Sequence, residues 1–167
     1  MIKTFNSLLV TMFGLGRIKF IPGTIGSLVT TLILYNLFHV FNISSNIILL
    51  GLILIFIYSF YAISSHIKHC ENKDPSEIII DEFLGQSIPI YLYEISHESK
   101  NEGGETIAYY ILFFILFRYF DIMKPFPVNF FDKNFKNSFG VIMDDIFAGV
   151  YVVLSVVCFM IIKSHVL

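Results

Sequence analysis

Charge is scarce in this 167-residue chain: 14% of it is Asp, Glu, Lys or Arg, while 56% is hydrophobic. An average soluble domain is about 25% charged. From Phe20 to Ile67 none of the four charged types occurs. That stretch is long enough for two helices of about 20 residues, the length that crosses a hydrocarbon core of about 30 Å, and soluble helical bundles rarely tolerate it. A membrane protein is the leading class. Basic excess is missing too: 11 Lys and Arg against 13 Asp and Glu give a net charge of −2. No interleaved Arg and aromatic platform is present, so nucleic-acid binding is not expected. Cys70 and Cys158, one in a polar stretch and one in an apolar one, are too few and too differently placed for a disulfide framework or a zinc site. The start, MIKTFNSLLVTMFGLG, lacks a small-residue cleavage pattern and is not read as a removed signal. Targeting then rests on the membrane helices themselves.

Residues 4–13 suggest a short amphipathic or interfacial helix, and the glycine-rich GLGRIKFIPGTIGS of residues 14–27 reads as a loop. Spanning candidates follow at residues 25–41 and 46–64, joined by NISS as an antiparallel hairpin. A polar connector, HIKHCENKDPSE, leads into residues 77–95, whose apolar run is broken by Asp81, Glu82, Gly85 and Pro89. That mixed character predicts a helix packed inside the protein. After the charged loop HESKNEGGE, residues 106–123 form a further helix stopped by KPFP, and residues 141–162 form the last. DEFLG at 81–85 and DIFAG at 145–149 each place Gly four residues after Asp. Residues i and i+4 share a helix face, and Gly there admits a neighbouring backbone, so both carboxylates are expected in one tight helix–helix seam.

Five acids lie in or beside apolar helical segments: Asp81, Glu82, Asp121, Asp144 and Asp145. An isolated ionised carboxylate removed from water costs several kcal/mol, so each must be paired, protonated or bound to metal. Oxygen ligands without nearby His or Cys point to Mg²⁺ or Mn²⁺ rather than zinc. Arg118 and Lys124 flank Asp121 in RYFDIMK and are the cations in reach; structural ion pairing is the alternative use of these charges. His66 and His69 lie in the polar connector and are expected to be solvated rather than ligating.

The stretch IPGTIGS puts glycines and the hydroxyls of Thr24 and Ser27 ahead of a helix, beside Arg17 and Lys19. Free N–H groups at a helix start bind anions, although the same residues also serve as ordinary caps. An anion cradle, a hard-cation site and a membrane scaffold together suggest a phosphorylated lipid. Three rival phosphatase chemistries are absent: neither cysteine has Arg six positions on, no Asp-x-Asp triplet occurs, and the Arg-Pro and Ser-Gly-His signatures are missing.

Taken in order, GLGRIKFIPGTIGSL, DPSEIIIDEFLG, FRYFDIMKPFPVNFFDK and FGVIMDDIFAGV resemble the phosphatidylglycerophosphatase A family across almost the whole of residues 14–150. The resemblance implies an all-α, compact helical bundle, partly membrane-embedded, forming a single domain over residues 1–167. It implies a bacterial, Mg²⁺-dependent hydrolase that converts phosphatidylglycerophosphate to phosphatidylglycerol and phosphate. Its place would be the cytoplasmic (inner) membrane, with the site facing the cytosol. The family's acidic motifs fall on Asp81 and Glu82, on Asp121, and on Asp144 and Asp145; its Pro-Gly-Thr motif falls on Pro22, Gly23, Thr24, Gly26 and Ser27. Arg118, Lys124 and Pro125 occupy the central basic block, and Asp74 with Pro75 begins a further motif.

The expected division of labour follows. Asp81, Glu82, Asp144 and Asp145 hold one or two Mg²⁺ ions, with Asp121 close by. Arg118 and Lys124 neutralise charge on the phosphoryl group, and residues 22–27 donate N–H groups to it. The competing classes are a transporter or ion-conducting protein with intramembrane carboxylates, which predicts inverted repeats that are not found, and a structural adaptor, which leaves the acids unexplained.

Overall fold

The computed structural model describes residues 2–68, 76–97 and 103–166. Among the described residues there are seven α-helices: α1 Ile2–Val10, α2 Pro22–Tyr35, α3 Ser45–Ile67, α4 Ile80–His97, α5 Gly103–Met123, α6 Val128–Asn134 and α7 Ser138–Val166. No strand occurs among the described residues, so the chain is all-α. Four segments of the described residues are long and apolar enough to cross a membrane: Pro22–Val40, Ser45–Ile67, Gly104–Met123 and Ser138–His165.

Local chemistry sets the boundaries. α2 begins at Pro22, whose fixed φ suits the first helical position and whose missing N–H costs nothing there. The expected loop over residues 14–27 therefore ends at Ile21, and Pro22–Ser27 are helical. After Tyr35 the helix widens into a π turn over Asn36–Val40. α7 starts earlier than expected because Asn137 caps it, its Oδ1 accepting the N–H groups of Phe139 and Gly140 at 3.1 Å each. α5 stops where predicted: Lys124 turns left-handed at φ 44 and Pro125 follows.

Side-chain pairs give the directions. Gly26 meets Ile79, the Gln86 amide donates to Thr31 Oγ1 at 3.2 Å, and His39 Nε2 lies 2.9 Å from Glu94 Oε1. Both numbers rise together, so α2 and α4 are parallel. Gly85 meets the Asp145 carbonyl, and Gly149 meets the Gly85 carbonyl and Ile88, so α7 is parallel to them as well. α5 runs the other way, since Phe117 lies against Gly85 while the Tyr110 hydroxyl donates to Glu94 at 2.9 Å. α3 also runs the other way, with Leu49 and Leu92 lining one groove and Ser64 and Ser138 in contact at 2.8 Å.

α4 is the hub, packed against α2, α3, α5 and α7. The expectation of an interior helix holds: Phe83, Leu84, Gly85, Gln86, Ser87, Pro89 and Ile90 are all buried. α2 and α3 are antiparallel, as their short connection requires, but each leans on α4 rather than forming a closed hairpin. α1 packs along α3, where the Tyr58 hydroxyl donates to the buried Asn6 at 2.8 Å. The five long helices thus bring the starts of α2 and α4, the early turns of α7 and the end of α5 to one end of the bundle.

Candidate functional site

The two Asp-x-x-x-Gly segments make the seam that the sequence suggested. A Cβ on Gly85 would meet the Asp145 carbonyl at 2.5 Å and Phe117 at 2.7 Å, so only Gly lets α4 and α7 approach this closely. Four residues earlier on each helix, Asp81 and Asp145 are carried to the same place. Ligand oxygens of Asp81, Glu82 and Asp145 all lie within 4.8 Å of one another. Asp81 and Asp145 are buried, and Asp81 Oδ1, Glu82 Oε2 and Asp145 Oδ1 have no hydrogen-bond partner.

Cations and a helix start close the remaining sides. Arg118, on the last turns of α5, pairs with Asp121 at 2.8 Å and donates to Ser27 Oγ at 3.3 Å, while its buried Nε is left without a partner. Lys124, just past α5, is gripped between Asp144 at 3.0 Å and Asp132 at 2.9 Å. Gly23 lies directly against Glu82 and Arg118, where a Cβ would collide with the Glu82 carboxylate. The Ile25 N–H closes the first helical bond of α2 onto the Ile21 carbonyl at 3.2 Å, so the Gly23 and Thr24 amides belong to the unsatisfied helix start. The parallel starts of α2 and α4 both aim positive dipole ends at this spot.

These groups enclose a cavity of about 380 Å³. Its lining takes in Pro22, Gly23 and Thr24, then Asp81 and Glu82, Arg118, Asp121 and Lys124, and finally Asp144 and Asp145. Gly26 instead packs on Ile79, and Ser27 sits behind Arg118 with its hydroxyl donating to the Gly23 carbonyl at 2.8 Å. Two of the five residues expected to contact phosphate therefore support the wall rather than form it.

Electrostatics at the two flanks differ in sign. Asp81 and Glu82, in the first turn of α4 and outside the four candidate spans, are pushed up: Asp81 well above the usual carboxylate range by burial, then by Glu82 and Asp144, and Glu82 to about 7, chiefly by burial. Burial by itself would lower Lys124 and raise Asp132. The charges of Asp144 and Asp132 instead hold Lys124 above its ordinary value, and Lys124, with Lys136 and Lys133, holds Asp132 below its own. The first flank is therefore short of positive charge, with Arg118 only partly offsetting its burial, while the second is already neutralised. Three buried carboxylate oxygens without donors form a group that could hold a metal ion.

Asp144 lines the cavity but stands apart from the unpartnered trio, its Oδ2 bound to Lys124 and its Oδ1 accepting the Asp145 N–H at 3.1 Å. Asp121 serves Arg118. Asp132 was not foreseen; it lies eight residues beyond Lys124 on α6, and nothing local in the sequence separates it from a solvated acid. His66 is not solvated as expected, for its Nε2 lies 2.8 Å from Glu77, which also pairs with Arg17 at 3.4 Å. His69, Cys70, Asp74 and Pro75 fall outside the described residues; Cys158 is a free thiol on the exposed face of α7.

The family model described as Phosphatidylglycerophosphatase A matches residues 8–160. A Phosphatidylglycerophosphatase A of Haemophilus influenzae is 34% identical over 149 residues, covering 89% of this chain and 85% of that protein. The Escherichia coli protein of the same name is 30% identical over 144 residues, covering 86% and 76%. A Bacteroides thetaiotaomicron protein with the provisional name phosphatidylinositol-3-phosphatase is 33% identical over 145 residues, covering 86% of each chain. No solved structure matches the chain.

Proposed function

The chain belongs to the phosphatidylglycerophosphatase A family of phosphoric monoester hydrolases, and on that premise we propose that it hydrolyses phosphatidylglycerophosphate to phosphatidylglycerol and phosphate in a Mg²⁺-dependent reaction. One catalytic unit over residues 1–167 does this. The observation that carries the reading is the trio of buried, donor-less oxygens on Asp81, Glu82 and Asp145, facing a cavity whose other walls are cationic or N–H-bearing. A transporter reading is not favoured, because membership of a hydrolase family accounts for the same carboxylates.

Asp81, Glu82 and Asp145 would hold the ion, with Asp144 beside them. A bound Mg²⁺ supplies Lewis-acid polarisation of the phosphoryl group. Arg118, oriented by Asp121 and Ser27, presents its guanidinium to the phosphoryl oxygens, where charge increases as the ester bond breaks. Lys124 adds a second positive charge on the opposite side, fixed by Asp132 and Asp144. The Gly23 and Thr24 amides donate to the same oxygens without any reorganisation. Water adds to phosphorus, the bond to the glycerol oxygen breaks, and that oxygen leaves as the alcohol after taking a proton. No covalent intermediate with the chain is needed.

Charge distribution supports a cytosolic site in the inner membrane. Among the described residues from Arg17 onward, Arg17, Lys19, Lys68, Arg118, Lys124, Lys133 and Lys136 lie at the cavity end of the bundle, and Lys163 lies at the other. Cytoplasmic flanks of membrane helices carry such an excess of Lys and Arg.

The test is phosphate release by the purified protein in detergent, offered phosphatidylglycerophosphate and, separately, phosphatidylinositol 3-phosphate. Turnover of the first with Mg²⁺, lost on chelation, is expected. Asp145→Asn should lower kcat by about 10² or more with helical content retained. Release from the inositol lipid alone would transfer the substrate assignment to it, and full activity in Asp145→Asn would remove the carboxylate site.

A further inference from the structure

We propose that the diacylglycerol half of the substrate reaches the cavity sideways from the bilayer, through a portal between the start of α2 and the end of α5 whose two jambs are Ile21 and Ile122. This rests on the lipid-phosphatase reading and adds where the hydrocarbon lies.

The cavity suits a phosphorylated head group and cannot also enclose two acyl chains, so the chains lie outside it. Its walls show where they leave. On the α6 and α7 side, Lys124 is locked between Asp132 and Asp144, and the apolar lining residue Val141 is buried, so this wall opens no path to hydrocarbon. On the α2 and α5 side, the rim consists of Ile21 and Ile122, which line the cavity yet are 52% and 69% exposed. Both edges of the mouth are thus apolar and open just where the cavity meets the surface.

Ile21 reaches that position at a conformational cost. It sits at φ 42, ψ 58, left-handed backbone that β-branched residues rarely adopt. Strained non-glycine residues persist where the surroundings over-determine them, commonly at functional sites. The cavity lining contains two such residues, Ile21 and Lys124, one on each wall. Below the mouth the surface stays apolar in register with both helices, with Leu28 and Leu32 exposed on α2 and Ile115 exposed on α5. Helical spacing stacks these residues along the bundle, giving acyl chains a path parallel to the membrane normal. The head group turns inward past Gly23, where the absence of a side chain keeps the way to Arg118 and Glu82 open.

The double variant Ile21→Gln/Ile122→Gln tests the portal without adding charge near an anionic substrate. Two substrates are compared, long-chain phosphatidylglycerophosphate in vesicles and its water-soluble dihexanoyl form. The ratio of kcat/KM, long over short, is expected to fall about tenfold in the double variant, the usual scale for losing apolar contacts to a substrate. Leu50→Gln, on the exposed face of α3 away from the cavity, should leave the ratio at its original value. An unchanged ratio in the double variant, or an equal fall in Leu50→Gln, overturns the portal while leaving the phosphatase reading in place. If the unaltered protein releases phosphate from neither substrate, that reading falls and takes the portal with it. Melting curves of both variants confirm that folded proteins are being compared.

Discussion

Asp81 and Glu82 are adjacent, kept from water and short of donors, so ionising both in the absence of a cation is unfavourable. With Glu82 raised from 4.5 to about 7, the metal-free folded protein holds a proton that the unfolded chain has released. The associated stability is complete below the unfolded value and is lost as pH rises through about 7. A divalent cation favours the ionised carboxylates, so its affinity rises over the same window. In detergent with chelator, the melting temperature should therefore fall between about pH 5 and about pH 8, and added Mg²⁺ should restore more of it at the higher pH. A metal effect independent of pH would show that these carboxylates are not the ligands. Such a shift cannot be seen in the string DE itself, because it depends on which residues of α5 and α7 arrive beside it. For the same reason the pairing of Lys124 with Asp132 and of His66 with Glu77 was hidden: one partner of each pair lies outside the helices, and sequence spacing reports only neighbours on one helix.

At the level of elements, the crossing of α4 and α7 holds the acidic residues in register. Gly85→Ala places a methyl against the Asp145 carbonyl and the Phe117 ring, and overpacking of this kind costs about 1–3 kcal/mol. A lowered melting temperature together with reduced phosphate release is the expected result; a variant that melts and turns over like the parent would mean that the helices can separate without consequence. This seam was legible beforehand because the i, i+4 spacing of Asp and Gly recurs in both helices and has one physical meaning on each. The spans of α3, α5 and α7 were legible from their apolar runs. α6 was not, since seven residues rich in Phe and Asn carry no helical period of their own and are ordered by packing on α7. The helical state of Pro22–Ser27 was likewise masked, because Gly23 and Gly26 read as breakers until Glu82, Arg118 and Ile79 are seen against them.

On the scale of the whole molecule, α2, α4 and α7 point one way and α3 and α5 the other, which gathers most of the cationic residues at the cavity end. Cysteine labelling reads the resulting orientation directly. In a background lacking Cys70 and Cys158, a Lys163→Cys variant should react with an impermeant maleimide in intact spheroplasts, and Lys136→Cys only after permeabilisation. The opposite pattern would place the cavity outside the cell.

α4 also bears on biogenesis. Its Asp81, Glu82 and Glu94 are matched by Arg118 and Tyr110 on α5, by His39 and by the α7 seam, and several of these are synthesised after α4 itself. Two carboxyls in its first turn, one near its last and the buried Gln86 between them make α4 alone a poor candidate for lateral release into lipid. Its departure from the protein-conducting channel is expected to follow the emergence of α5 and α7, and nascent chains ending before residue 103 would present quality-control proteases with an orphaned polar helix.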